Sequence, residues 1–86
     1  IMKKIIIYSS KTCYFCEAAK QIFDEEHLSY QEISIDNRPE IKEQMVQKAN
    51  GKKTVPQIFF DNIHIGGYDQ LTQIIKEGKF YSSLKD

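Results

Sequence analysis

Thr12-Cys13-Tyr14-Phe15-Cys16 holds the only two cysteines of an 86-residue chain. What flanks them sets the architecture. On one side, Lys4 to Ser9 is a short β-branched run that fits a buried strand. On the other, apolar residues fall at Cys16, Ala19, Ile22 and Phe23, the spacing of a helix running from Cys13 to about Glu26. The pair therefore sits where a strand hands over to a helix. Residues three apart share a helix face, so the two sulfurs can bond without backbone rearrangement. The first helical turn offers unpaired N–H groups and the positive end of the dipole, which stabilise a thiolate at Cys13. Lys11 adds a nearby positive charge. Cys16, one turn in on the apolar face, suits a resolving thiol. A ring this small contributes little as a structural staple.

Working outward, Ser29 to Ile35 reads as a second strand. Asn37 and Pro39 mark the start of a second helix, with Ile41, Met45 and Ala49 on one face and Asn50-Gly51 as its close. Gln57 to Phe60 and Ile63 to Ile65, joined by Asp61-Asn62, read as a hairpin. Gly66-Gly67 leads into a third helix carrying Leu71, Ile74 and Ile75, stopped at Gly78, and the tail adds a short helix with Phe80 and Leu84. The order is β-α-β-α-β-β-α. A crossover makes the first two strands parallel neighbours. The expected fold is α/β: a four-stranded mixed β-sheet flanked by helices, in one domain spanning residues 1–86.

Composition narrows the function. The chain is 41% hydrophobic and 28% charged, as in folded soluble domains. Twelve basic residues balance twelve acidic ones, which leaves no electrostatic footprint for nucleic acid or anionic lipid. Apolar runs are far too short for a membrane span. Ile1 ahead of Met2 reads as an appended residue, and the start has no signal-peptide pattern, so a cytoplasmic location is expected. There a two-cysteine motif serves catalysis or metal binding more often than structure. A zinc site would need His27 and His64, yet ten residues separate Cys16 from His27 and 36 separate the histidines, which matches no finger or ribbon. No metal is expected, and both histidines read as surface or hairpin residues. Tyr8, Tyr30 and Phe80 read as packing.

Two further stretches bear on the cysteines. Thr54-Val55-Pro56 opens the third strand with a residue that cannot donate to a ladder, as at a strand entrance or a cis bond. Gly66-Gly67-Tyr68-Asp69 supplies a turn, a helix start and an Asp in capping position, either a capped helix or an anion site. Taken together with Cys13-Tyr14-Phe15-Cys16, these stretches resemble the glutaredoxin family, and in particular its small bacterial dithiol members. The similarity runs from the strand before the cysteines through Leu71.

The resemblance implies a thioredoxin-like fold, Pro56 as a cis-proline opposite the cysteines, and glutathione as reductant. It implies that Thr54 and Val55 pair with the glutathione backbone, that Gly67, Tyr68 and Asp69 hold its γ-glutamyl end, and that Lys53 lies near its glycyl carboxylate. Phe15 supplies a shielding ring. The chain departs from the family pattern in three stretches. Tyr14-Phe15 replaces Pro-Tyr, Ser10 replaces a basic residue, leaving Lys11 to reach glutathione, and Asp69-Gln70 replaces Asp-Asp.

The expected activity is glutathione-dependent thiol–disulfide exchange by a monomer, acting on protein disulfides or glutathionylated proteins, with ribonucleotide reductase a family-level example. Two alternatives remain open on the sequence. One is a redoxin reduced by thioredoxin reductase, although the relatives compared carry a Trp that this chain lacks. The other is an iron–sulfur cluster carrier ligated through glutathione. By resemblance, Pro after the first cysteine opposes cluster binding, and here Tyr14 stands in its place.

Overall fold

A computed structural model describes residues 1–85. Its elements are β1 (Ile5–Ser9), α1 (Tyr14–Glu25), β2 (Gln31–Ser34), α2 (Pro39–Lys48), β3 (Gln57–Phe60), β4 (Ile63–Gly66), α3 (Tyr68–Lys76) and α4 (Phe80–Leu84). The strands form one sheet in the order β2-β1-β3-β4. β1 runs parallel to β2, antiparallel to β3, and β3 pairs antiparallel with β4.

Both faces of this sheet are covered, which is why β1 and β3 read as unbroken apolar runs. Successive side chains on a strand point to opposite faces. Ile5 and Ile7, with Ile58 and Phe60, face α1, α3 and α4, where they pack with Ala19, Phe23, Leu71 and Leu84. Tyr8 and Phe59 face the other way, against Met45 and Ala49 of α2. Phe23 is fully buried, which contributes about 1.5–3 kcal/mol. The tail helix is held by the N-terminal segment: the Lys3 N–H donates to the Leu84 carbonyl at 2.7 Å.

Several boundaries differ from the sequence expectation by a residue or two, among them those of α1 and β2. α1 begins at Tyr14, because Cys13 has extended backbone (φ −99°, ψ 108°) and serves as the N-cap. β2 spans only Gln31–Ser34 of the expected Ser29 to Ile35, and Tyr30, just before it, packs against the core. The mixed sheet with helices on both faces is the expected thioredoxin-like arrangement.

Candidate redox site

The site grows from the strand–helix junction after β1. Asp36, just past β2, ties down the approach to the cysteines. Its carboxylate accepts the Ser10 hydroxyl at 2.6 Å and the Lys11 N–H at 2.9 Å. The Ser10 hydroxyl, then that N–H, hold the Asp36 carboxyl below its ordinary pKa. From this anchored turn the chain enters α1, where the Cys16 N–H points at the Cys13 sulfur at 3.0 Å. Cys13 and Cys16 lie at disulfide distance, their Cα atoms 5.2 Å apart. Cys16 is fully buried whereas Cys13 is partly exposed, so only one sulfur is open to an incoming partner.

Across from Cys13 runs the segment before β3. The Val55–Pro56 peptide bond is cis, and the Cys13 sulfur lies 3.6 Å from the Val55 carbonyl oxygen. Beside the cysteines opens a groove of about 430 Å³. Thr54, Val55 and Pro56 form one wall, and Gly67, Tyr68 and Asp69 form the other. Phe15, half exposed, reaches from α1 to Tyr68, with ring centroids 5.2 Å apart. The structure thus brings together three stretches that are far apart in the chain. Lys11 and Lys53 are exposed and do not line this groove.

Six groove residues were missed by the sequence reading: Ile65, Gly66 and four with polar side chains, Lys52, Gln57, His64 and Gln70. Asp69 was expected in the capping position. β4 runs through Gly66, so the N-cap falls on Gly67, and its N–H donates to the Gln70 side chain at 2.8 Å. Asp69 lies in the first turn instead. A Gln three residues after the cap is a recognisable capping signal, so Gln70 was legible in principle. His64 is not a bare hairpin residue. Its Nε2 lies 2.7 Å from Gln57 Oε1 and its Nδ1 lies 3.0 Å from Asn50 Nδ2. Burial, then the charge of Lys52, lower its pKa. The hairpin pairing creates the Gln57 contact, and the turn after α2 brings Asn50 to the other ring nitrogen. Among the described residues, no three of His, Cys, Asp and Glu group to hold a metal ion, and no helix is long and apolar enough to cross a membrane.

Comparison with known proteins agrees with this geometry. Residues 5–65 match the glutaredoxin family model. Glutaredoxin 1 of Rickettsia felis is 49% identical over 86 residues, covering 99% of this chain and 84% of that protein. Glutaredoxin 3 of Escherichia coli is 39% identical over 84 residues, covering 98% and 100%. The crystal structure of a buckwheat glutaredoxin–glutathione complex superposes with a TM-score of 0.86 at 29% identity, covering 95% of this chain and 76% of that one. These matches include the paired cysteines, and the thiol–disulfide chemistry that the pair supports is the chemistry of the family. With one buried and one accessible sulfur facing a cis-proline, on a thioredoxin-like sheet, the chain belongs to the glutaredoxin family.

Proposed function

We propose that the protein is a glutathione-dependent oxidoreductase that reduces protein disulfides and glutathione mixed disulfides in the cytoplasm, as a monomer. The observation that carries this reading is the partly exposed Cys13, its sulfur 3.6 Å from the carbonyl of Val55, which lines a groove with Thr54, Pro56 and Gly67–Asp69. The buckwheat neighbour was solved with glutathione, which supports the same ligand here.

In this scheme the Cys13 thiolate attacks one sulfur of the substrate disulfide. A Cys13–sulfur bond forms, and the other sulfur leaves as a thiolate that takes up a proton. The Cys16 N–H aimed at the Cys13 sulfur supports the thiolate role. With a protein disulfide, Cys16 then attacks Cys13, expels the second substrate thiol and leaves the Cys13–Cys16 disulfide. One glutathione opens that bond at Cys13. A second attacks the resulting mixed disulfide, giving oxidised glutathione and the dithiol. With a glutathionylated protein, Cys13 suffices without Cys16. Thr54 and Val55 offer backbone groups to the glutathione chain, and Gly67, Tyr68 and Asp69 take its γ-glutamyl end. Lys11 and Lys53 contribute positive charge by resemblance, with Lys52 joining them from the groove wall. Phe15 and Tyr68 shield the reacting sulfurs from water.

Turnover coupled to glutathione and glutathione reductase tests the reading. Cys13→Ser abolishes all activity. Cys16→Ser retains deglutathionylation and loses protein-disulfide reduction. Substantial activity in Cys13→Ser, or turnover driven by thioredoxin reductase but not by glutathione, overturns it.

A further inference from the structure

His64 lies outside the paired-cysteine chemistry, yet its contacts lead to the groove wall facing Cys13. Gln57 is almost fully buried, and its Nε2 lies 3.0 Å from the Thr54 carbonyl oxygen. A carbonyl only accepts, so the Gln57 atom facing it must be the NH₂ group. The amide oxygen is thereby left facing His64 Nε2 at 2.7 Å, and that ring nitrogen must carry the proton. Nδ1 is then the bare nitrogen, and it accepts from the Asn50 amide at 3.0 Å. The ring stacks on Phe59, with centroids 5.0 Å apart. The result is a directed chain of donors: Asn50 to His64, His64 to Gln57, Gln57 to the Thr54 carbonyl. Thr54 precedes Val55, whose carbonyl lies against the Cys13 sulfur.

We infer that His64 is a positioning residue for the glutathione groove, its Nε2–H fixing the Gln57 amide so that the Thr54–Pro56 edge is held opposite Cys13. This rests on the glutathione reading above. The alternative is that His64 meets glutathione directly as a charged ligand. Its lowered pKa, set by burial and by Lys52, opposes that role near neutral pH. Lys52 from the loop after α2 and Tyr68 and Asp69 from α3 line the same groove, β3 presents no titratable side chain to it, and β4 carries none besides His64 itself. Positioning through Nε2–H survives protonation of the ring, because the imidazolium keeps that donor.

The test exploits side-chain reach. Glutamine carries its amide nitrogen as many bonds from the backbone as histidine carries Nε2, whereas asparagine reaches only as far as Nδ1. The apparent KM for glutathione and kcat are measured for wild type, His64→Gln, His64→Asn and His64→Phe, with hydroxyethyl disulfide as co-substrate and glutathione reductase as coupling enzyme. His64→Asn and His64→Phe raise KM roughly three- to tenfold, the scale of one lost neutral hydrogen bond, with kcat within about twofold. His64→Gln stays within about twofold of wild type. The ratio of its KM to that of wild type is flat from about pH 5.5 to 7.5 across the titration of histidine.

Equal losses in the Gln and Asn variants, or a wild-type KM in His64→Phe, overturn the inference. So does a wild-type KM that falls relative to His64→Gln as the ring protonates, which marks direct charge contact. If His64→Phe does not fold, the Gln and Asn pair decides alone. Absence of glutathione turnover in wild type overturns the functional reading and this inference together, whereas turnover with unaltered variants overturns only the inference.

Discussion

Replacing Gly66 with Ala tests how the strand–helix junction behind the groove is built. Gly66 is buried with φ +122°, a conformation that L side chains rarely adopt. Forcing alanine into it costs about 1–3 kcal/mol. The new Cβ would also lie 2.8 Å from Gln70 Cγ and Oε1. Gln70 can swing away, but it is the side chain that accepts the Gly67 N–H and caps α3, so displacement forfeits about 1 kcal/mol more. The sum is roughly 2–4 kcal/mol. Against a total stability of about 5–13 kcal/mol for a chain of this length, the variant still folds.

Urea unfolding measures this directly: the midpoint falls while the slope is unchanged, and Tm drops by roughly 10–25 °C. Gln70→Ala isolates the cap and costs only about 1 kcal/mol. Because Gly67 and Tyr68 follow immediately and line the groove, the apparent KM for glutathione rises in Gly66→Ala as well. A loss below about 1 kcal/mol, or one equal to that of Gln70→Ala, would show that the backbone at position 66 relaxes without strain.

Three further predictions concern charge and the cysteine turn. The Ser9 hydroxyl at 2.5 Å and Lys20 at 2.9 Å hold the Glu32 carboxyl below its ordinary pKa of 4.5. A depressed carboxyl adds stability that is present above that pH and lost as pH falls through the folded-state value. Glu32→Gln should therefore flatten the stability curve below about pH 4.5 by no more than about 1 kcal/mol, since the group is partly exposed. Parallel curves for the two proteins would contradict this. Lys52→Gln should raise the glutathione KM up to about fivefold at low salt and less at high salt, with Lys53→Gln having the smaller effect. The reverse ranking would favour Lys53 as the main cationic contact. Tyr14 is the first residue of α1 and 77% exposed, a position where Pro is tolerated, so Tyr14→Pro should change stability by less than about 0.5 kcal/mol. Losing its N–H next to Cys13 should move the redox potential by on the order of 10 mV or more, and an unchanged potential would refute a tuning role.

Much of this protein is legible in its residues because much of it is locally encoded. The period of Cys16, Ala19 and Phe23 determines a helix and puts Cys16 on its buried face. The spacing of three between the cysteines determines that they can bond, and the β-branched runs determine strands covered on both sides. Each depends only on neighbours within a few residues along the chain. The tertiary structure decided the rest. Lys52 and Lys53 stand in an irregular loop with no period to say which lines the groove, and only the folded chain shows that the exposed Lys52 does. The N-cap falls on Gly67, with Gln70 and not Asp69 supplying the capping side chain, because the hairpin carries β4 through Gly66 before the helix begins. His64 and Gln57 meet because β3 pairs with β4 across a register shift at Ile58/Phe59, which sets where their side chains point. Side-chain direction in a pairing or a loop is a property of the partner strand and the packed surface, and these exist only once the chain has closed on itself.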